Sequence, residues 1–333
     1  MVIDYAFIWA GLIAVAVLMY VLLDGFDLGI GILFPFLRDH DERMLAMSSV
    51  APVWDGNETW LVLGGGGLFA VFPLGYAIVM PALYPLIIAM LLGLIFRGVA
   101  FEFVHRTERM KFFWEVAFWG GSLVAAIAQG LALGTLVQGV IVSGRSYGGG
   151  NWDWLTPFSI LTAVALVVGY AMLGATWLIM KSEGSLQAHC HRLALWLGIA
   201  TLAGMTAVSA ATPFLSNAYY QRWFAWPQIL FTAQVPLLVA IASVVFFVSL
   251  RRKATYLPFL IALGLFALGL IGLGISLYPY VVPRAITIWD AAAPTASLSF
   301  MLVGAVVMVP VILAYTGYAY WVFRGKTGSE GYH

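Results

Sequence analysis

The stretch APVWDGNETWLVLGGGGLFAVF, residues 51–72, places two carboxylates at the start of a strongly apolar segment. Asp55 and Glu58 stand three residues apart, and from Leu61 onward the segment is apolar enough for a membrane helix. Ionisable side chains within membrane segments are rare and mark functional sites in most cases. These two acids are therefore the first candidates for function in this chain.

A second acidic pair lies earlier in the chain. The stretch VLLDGFDLGIGILF, residues 21–34, carries Asp24 and Asp27 within an otherwise apolar run. Residues three apart share a face of a helix, so the carboxylates of each pair point the same way. A carboxylate at the bilayer centre costs about 2.5–3.5 kcal/mol, so four acids in two neighbouring helices indicate a functional cluster.

The composition is that of an integral membrane protein. Of 333 residues, 62% are hydrophobic and 9% are charged, whereas soluble domains carry about 25% charged residues. Many of the 13 tryptophans lie near the ends of apolar runs, as in interfacial belts. A net charge of +1 gives no sign of nucleic-acid binding, and the one cysteine, Cys190, excludes an intrachain disulfide.

The apolar runs predict an all-α integral membrane protein with a single transmembrane domain over residues 1–333. A span needs about 20 mostly apolar residues. We predict nine transmembrane helices, at about 5–36, 49–73, 75–98, 115–142, 156–180, 191–213, 226–250, 255–279 and 297–323. The break near Pro73 is short and uncharged, so the second and third helices are expected to form a tight hairpin.

The basic residues predict the orientation of these helices. With nine spans, the side that holds the N-terminus carries three basic residues, Arg145, Arg222 and Arg284, out of the 16 Lys and Arg in the chain. All the others fall on the opposite side, which the positive-inside rule makes cytoplasmic. The N-terminus is therefore expected outside, in the periplasm, and the C-terminus in the cytoplasm.

Two interpretations of the acids remain open. In the first, they cap helices or pair with bases: Asp55 caps the second helix and Arg97 pairs with Asp27. In the second, they form a hydrated route for protons from the cytoplasm, because burial moves carboxyl groups toward the range in which they exchange protons. The position of all four acids in the cytoplasmic half of the two helices favours the second interpretation.

The histidines argue against a haem or copper centre in this chain. Such a centre needs imidazoles inside the bundle. All five histidines fall instead in loops on the basic side or at helix ends facing it: His40, His105, His189, His191 and His333. The HCH triplet at 189–191 is interpreted as a solvated cytoplasmic turn. We therefore expect no haem bound by histidine here, and any metal in another subunit.

The four glycines from Gly64 to Gly67 allow close backbone approach in the second helix. Close packing of helices is the ordinary role of small residues in membranes. A groove for a flat lipophilic ring, such as a quinone, is the alternative.

Four motifs together resemble subunit II of the cytochrome bd-type quinol oxidases: DGFDLGIG, PVWDGNETWL, FRGVAFEF and TIWDAAAPTASL. The resemblance covers most of the chain and implies a multi-pass protein of the bacterial inner membrane. It implies a complex that oxidises quinol and reduces O2 to water, with two b-type haems and one d-type haem in subunit I.

The resemblance also implies the partners of this chain. Subunit II is the haem-free partner that packs against the haem-bearing subunit I as a heterodimer and helps to bring cytoplasmic protons to the oxygen-reducing site. Some members hold a structural quinone in this subunit, and the sequence leaves open a small accessory subunit. The expected contacts are with lipids and quinone, not with nucleic acid.

Carried over by motif, Asp55 is the first choice for proton entry, with Glu58, Asp24 and Asp27 as the other members of the proton pathway. The resemblance places Trp60 on the oxygen-tunnel side of the subunit interface. A further group of three is expected to have ion-pair, structural or haem-stabilising roles: Arg97, Glu115 and Trp54. No catalytic residue and no metal ligand is expected in this chain.

The chain departs from the family pattern at several positions. Many members have glutamine at the position of Glu58 and aspartate at that of Glu115. FRPV is also commoner than FRGV, which occupies residues 96–99 here. The extra acid at Glu58 therefore belongs either to the pathway or to its rim.

A proton- or ion-coupled secondary transporter is the alternative function, since intramembrane acids look alike in both classes. Transporters often contain inverted repeats with sites near the midplane. The acids here cluster in one half of the membrane, and residues 156–323 hold no inverted copy of DGFD or WDGN. A pure scaffold is a third possibility, separable by neutralising Asp55.

Overall fold

The computed structural model describes residues 3–104, 106–107 and 109–328. His105 and His333 lie outside the described residues. The described chain is almost entirely helical. Its helices are α1 (Tyr5–Leu33, extended by a 3₁₀ turn Phe34–Phe36), α2 (His40–Ser48), α3 (Trp54–Val71), α4 (Pro73–Phe103), α5 (Lys111–Gln138), α6 (Pro157–Lys181), α7 (Gly184–Leu215), α8 (Asn217–Phe224), α9 (Ile229–Thr232), α10 (Gln234–Arg251), α11 (Leu257–Leu277), α12 (Ile288–Ala291) and α13 (Thr295–Val322).

Two short antiparallel hairpins close loops of the chain. Strand β1 (Val142–Ser143) pairs with β2 (Ser146–Tyr147), and β3 (Tyr280–Val282) pairs with β4 (Ile286–Thr287). Both hairpins fall in loops that the sequence assigns to the outer side. Val282 of β3 is completely buried, so the second hairpin also packs against the core.

Eight helical segments in the described part of the chain are long and apolar enough to cross a membrane. The prediction of an all-helical membrane protein is therefore confirmed. The segment predicted at 49–73 forms the 18-residue helix α3. This helix is less apolar than the eight segments and is not among those apolar enough to cross a membrane. Its first two turns hold Asp55, Asn57 and Glu58, which lower its apolar character, so a ninth crossing stays a prediction.

Small residues bring the central helices together. A Cβ atom added at Gly29 of α1 would come 1.8 Å from the carbonyl oxygen of Tyr170 in α6, and one added at Gly174 would come 2.5 Å from the carbonyl carbon of Gly29. A Cβ at Gly121 of α5 would come 2.4 Å from the carbonyl oxygen of Gly93 in α4. Such backbone contact is how membrane helices gain packing energy without a hydrophobic driving force between them.

The buried centre of the molecule is α6, which packs against α1, α5 and α7. In the most apolar 18-residue stretch of α6, 61% of residues are buried, against 6% in α13 and in the segment formed by α9 and α10. The helix α1 also lies along α3 and α5, and α4 lies along α5. The acidic stretches of α1 and α3 are therefore held beside the centre of the bundle.

The first helix is tied down at its outer end by Asp4. Its carboxylate accepts hydrogen bonds from the backbone N–H of Phe7 at 3.0 Å and from Nε1 of Trp289 at 2.8 Å. These two bonds hold the pKa of Asp4 below its usual range. The N-cap of α1 thus also fixes α12, which carries the TIWD motif.

Several helix ends differ from the predicted ones. The helix α7 begins at Gly184, not near 191, so His189 and His191 lie in its first turns and the interpretation as a solvated turn is wrong. Residues 184–190 are polar, and hydropathy therefore gave no sign of helix there. Most of the predicted loop 37–48 forms the short helix α2, which hydropathy also did not indicate.

Candidate functional site

The four acids predicted from the sequence lie on α1 and α3, which pack side by side. Asp24 and Asp27 are almost completely buried, at 1% and 0% exposure. The Glu58 side chain is 22% exposed, and Asp55 is exposed in the first turn of α3. The acids therefore form a series that runs from the surface into the interior.

Arg97 of α4 is the positive charge of this cluster, and it is fully buried. Its Nη1 lies 2.8 Å from Oε1 of Glu58. Arg97 therefore pairs with Glu58, and the predicted pairing with Asp27 is wrong. One oxygen of Asp27 instead accepts a hydrogen bond from the side-chain amide of Asn57. The Arg97 charge nevertheless acts on both Asp24 and Asp27 across the cluster.

Aromatic rings surround the Arg97 guanidinium. Its Cζ lies 5.3 Å from the ring centre of Phe101, 5.9 Å from Phe118 and 6.0 Å from Trp54. Trp54 itself stacks on Phe101, with ring centres 4.9 Å apart. A cation over ring faces is stabilised electrostatically, which gives Trp54 a structural role in holding the buried charge.

Asn57 is a functional candidate that the sequence reasoning missed. Its Nδ2 donates to Oδ2 of Asp27 at 2.6 Å, and its Oδ1 accepts from the Tyr320 hydroxyl at 2.8 Å. The side chain is 1% exposed and joins α1, α3 and α13. A polar residue inside the WDGN motif was the available signal, but its partners were not visible in the sequence.

Several buried polar atoms in the cluster have no hydrogen-bond partner among the described residues. The acceptors are both carboxylate oxygens of Asp24 and Oδ1 of Asp27; the donors are Nε and Nη2 of Arg97 and Nε1 of Trp60. Buried polar groups are nearly always satisfied. Acceptors and donors occur together here, so the site is suited to bridging water molecules.

Asp55 does not cap its helix. The N-cap of α3 is Val53, which makes no side-chain cap bond, and Asp55 follows in the first turn. A carboxylate at that position interacts favourably with the helix dipole, and within the described residues it makes no cap bond to the start of α3. The capping interpretation of Asp55 is therefore wrong.

Trp60 and Glu115 occupy different surroundings. Trp60 is 1% exposed and packs within the chain against Ala16 and Tyr20. Glu115 contacts Arg43 at 3.4 Å and His40 at 3.3 Å, so it ties α5 to α2. The place of Trp60 beside an oxygen tunnel stays a prediction.

The glycine run of α3 has two kinds of contact. A Cβ atom at Gly67 would come 3.2 Å from Ile13 of α1, and one at Gly64 would come 3.8 Å from Val17. Nothing in the described chain lies within 4 Å of a Cβ at Gly65 or Gly66. Close helix packing therefore accounts for part of the run, and the rest faces outward.

The whole chain has clear relatives. A model of the family described as cytochrome bd terminal oxidase subunit II matches residues 5–323. Cytochrome bd-I ubiquinol oxidase subunit 2 of Escherichia coli (strain K12) is 32% identical over 371 residues, with 98% of this chain and 97% of that protein covered. Cytochrome bd ubiquinol oxidase subunit 2 of Bacillus subtilis (strain 168) is 27% identical, with 97% of each covered.

The fold has a solved counterpart. A chain in the structure of bd oxidase from Geobacillus thermodenitrificans superposes with a TM-score of 0.77 over 96% of this chain and 99% of that chain, at 14% identity. The resemblance carried by DGFD, WDGN, FRGV and TIWD thus extends over nearly the full length. This chain belongs to the cytochrome bd terminal oxidase subunit II family.

Proposed function

We propose that this chain, as subunit II of a cytochrome bd-type quinol oxidase, carries protons from the cytoplasm toward the oxygen-reducing site of subunit I. The relatives described above are named as ubiquinol oxidase subunits. Reduction of O2 to water consumes protons as well as electrons, so the complex needs a proton supply inside the membrane. The acids act as relays in this proposal, not as nucleophiles.

The burial series of the four acids is the observation that carries the proposal. Protons enter at Asp55, which is exposed, and pass to Glu58, which lies one turn further along α3. They then reach Asp24 and Asp27, which are buried in α1. The exposure of the carboxylates falls at each step, as expected of a path from water into the bundle.

Internal water supplies the connections between these carboxylates. The unpartnered oxygens of Asp24 and Asp27 and the unpartnered nitrogens of Arg97 and Trp60 are the groups that such waters would bridge. A buried water makes about three hydrogen bonds to groups of this kind. A proton then moves along the bonded waters from one carboxylate to the next.

Arg97 balances the negative charge of the route. Removing an acid from water is costly unless an opposite charge accompanies it. Arg97 pairs with Glu58 and acts on Asp24 and Asp27 at longer range. It thereby keeps several carboxylates available in the interior at once.

The haems are assigned to subunit I, where they would bind and reduce O2. Of the histidines in the described residues, His40 is the first residue of α2, and His189 and His191 lie in the first two turns of α7. These positions are away from the middle of any span, which supports a haem-free role. The outward face at Gly65 and Gly66 suits the contact with subunit I or a bound quinone.

Orientation completes the proposal. With nine crossings, α3 included, the acids lie in the cytoplasmic half and the C-terminus faces the cytoplasm. The bias of basic residues supports this arrangement. Membership of the oxidase family counts against the secondary transporter as an alternative.

Neutralising the entry residue tests the proposal. In the purified complex, Asp55→Asn should lower quinol-driven O2 consumption by roughly tenfold or more, because the first proton acceptor is lost. The apparent KM for quinol should stay close to that of the parent enzyme. Reduced-minus-oxidised spectra measure the haem content and confirm assembly.

Asp41→Asn is the matched control. Asp41 is also exposed, and it lies in the first turn of α2 on the same side of the membrane. It should leave the turnover unchanged. An assembled Asp55→Asn complex with full haem content and parental turnover would overturn the relay role and leave subunit II as a scaffold.

A further inference from the structure

Three polar side chains from α1, α5 and α6 form a hydrogen-bonded chain in the interior of the bundle. The Tyr170 hydroxyl donates to Oε1 of Gln129 at 2.8 Å, and Nε2 of Gln129 donates to the Tyr20 hydroxyl at 2.7 Å. Tyr170 and Tyr20 are 1% and 6% exposed. None of these residues belongs to the acidic route or to the motifs that carry the family resemblance.

The two hydrogen bonds run in one direction, from Tyr170 through Gln129 to Tyr20. Because the Tyr20 oxygen accepts from Gln129, its hydrogen remains available for a second partner. Tyr20 precedes Asp24 by four residues, so the two side chains share a face of α1. Both carboxylate oxygens of Asp24 are buried and have no hydrogen-bond partner among the described residues, so they can accept this hydrogen.

Gly25, the second residue of the DGFD motif, lies against Tyr170, one of these three hydrogen-bonded residues. A Cβ atom at Gly25 would come 2.8 Å from Cε1 of Tyr170. The absence of a side chain at Gly25 therefore lets the Tyr170 ring lie against α1 beside Asp24. The Gly25 backbone and the Gln129 amide thus both help to hold the Tyr170 side chain.

We propose that Tyr20 is a positioning residue for Asp24: its hydroxyl, oriented by Gln129 and Tyr170, donates to Asp24 and holds it as a proton-accepting carboxylate. The inference rests on the proposed function, since it assigns a partner to one acid of the route. Linked hydrogen bonds polarise one another. A donor aimed at a carboxylate favours the ionised form where water is scarce.

Other groups also face Asp24 and must be kept unchanged in any test. Besides Tyr20, the titratable and charged side chains around it come from five helices: Asp27 on α1, Glu58 on α3, Arg97 on α4, Tyr170 on α6 and Tyr320 on α13. The substitutions below remove no charge from this set.

The pH profile of quinol-driven O2 consumption by the purified complex tests the inference. Without the Tyr20 hydroxyl, the ionised form of Asp24 loses a hydrogen-bond donor. Tyr20→Phe should therefore move the alkaline limb of the profile upward by about one pH unit, the effect expected of one hydrogen bond to a charged group. Gln129→Leu should move it in the same direction by less, because it leaves the Tyr20 hydroxyl in place.

Infrared titration of the complex gives a second readout. The carboxyl band of protonated Asp24 is assigned by its loss in Asp24→Asn, and its titration should shift in Tyr20→Phe as the activity does. Tyr219→Phe is the control: Tyr219 is 3% exposed and donates to the carbonyl of Val137. It loses one buried hydrogen bond and should leave both readouts unchanged.

The outcomes separate the inference from the proposed function. If Asp24→Asn slows turnover while Tyr20→Phe keeps the parental profile and band, the inference is overturned and the relay role stands. If Asp24→Asn turns over normally, Asp24 is no relay and both fail at this residue. If Tyr20→Phe does not assemble, the Gln129→Leu profile decides: an unshifted limb overturns the inference.

Discussion

At the scale of single residues, Glu58 is one of the positions at which the resemblance implies a departure from the family pattern. The resemblance implies glutamine here in many members, whereas the glutamate of this chain pairs with a fully buried arginine, Arg97. A buried ion pair that loses one partner leaves an uncompensated charge, which is more costly than the loss of a neutral hydrogen bond. In the proposed route, Glu58 therefore both relays protons and balances the charge of Arg97.

Two substitutions at Glu58 separate the proposed relay role from the pairing with Arg97. Glu58→Leu should destabilise the complex by about 3 kcal/mol, because Arg97 loses both its counter-charge and its hydrogen bond. This is the lower end of the usual range of about 3–5 kcal/mol, since Glu58 is partly exposed. Glu58→Gln keeps an oxygen for Arg97 but removes the charge, so it should lose less stability than Glu58→Leu, with slower O2 consumption. Thermal unfolding in mild detergent and oxygen-electrode rates give the two readouts. Equal loss of stability in both variants would contradict the assigned pairing.

The acids of the site were predictable, whereas their partners were not. A carboxylate such as Asp24 is conspicuous in an apolar run, so the sequence alone identified it. Asn57 and Tyr320 bond across 263 positions of the chain, and no local pattern announces such a contact. The prediction that Arg97 pairs with Asp27 was wrong because a sequence does not show which of several nearby acids a long side chain reaches.

At the scale of elements, the crossing of α1 and α6 depends on small residues. Gly29 lies against the Tyr170 backbone, where no side chain fits, and Gly174 lies opposite it. Hydropathy predicted both helices well, since it reports burial in lipid. It did not report which face of α1 meets α6, because both faces are apolar.

Matched glycine substitutions in α1 test this crossing. Gly29→Ala should prevent normal packing, since its Cβ would lie 1.8 Å from the Tyr170 carbonyl oxygen. Gly11→Ala has no atom within 4 Å of its Cβ and should be neutral or slightly stabilising, by up to about 1 kcal/mol. The yield of haem-loaded complex and its thermal midpoint are measured for both. Parental yield and midpoint for Gly29→Ala would show that the crossing is wrong.

Helix ends were less predictable than helix centres. The start of α7 lies in polar residues, and the helix begins after Glu183, which is extended. The short helix α2 is capped by Asp39, whose side chain accepts from the backbone N–H of Glu42 at 2.8 Å. Such caps are local hydrogen-bond decisions, and a search for apolar runs passes over them.

At the scale of the whole molecule, burial is uneven. The helix α6 is central, whereas α13 is largely exposed on its apolar surface. Yet α13 contributes Tyr320 to the acidic cluster through Asn57. A peripheral helix thus reaches the candidate site with one polar side chain, while most of its apolar surface stays exposed.

The number of crossings decides the orientation of the whole molecule. Nine spans require α3 to cross the membrane, which puts the two termini on opposite sides; eight spans put them on the same side. The polar first turns of α3 are the reason that composition alone leaves the point open. If α3 crosses, the exposed Asp55 is at the cytoplasmic surface, as the proton route requires.

Cysteine labelling distinguishes the two topologies. Cys190 is fully buried, so Cys190→Ser gives a background without reactive thiols. In this background, Ile3→Cys and Gly328→Cys each place a thiol at an exposed position near one terminus. In spheroplasts, a membrane-impermeant maleimide should label Ile3→Cys and spare Gly328→Cys, and permeabilisation should make both react. Labelling of both in intact spheroplasts, or of neither, would mean an even number of crossings and remove α3 from the membrane. Labelling of Gly328→Cys alone would invert the molecule and place the acidic cluster toward the periplasm, where it could not take up cytoplasmic protons.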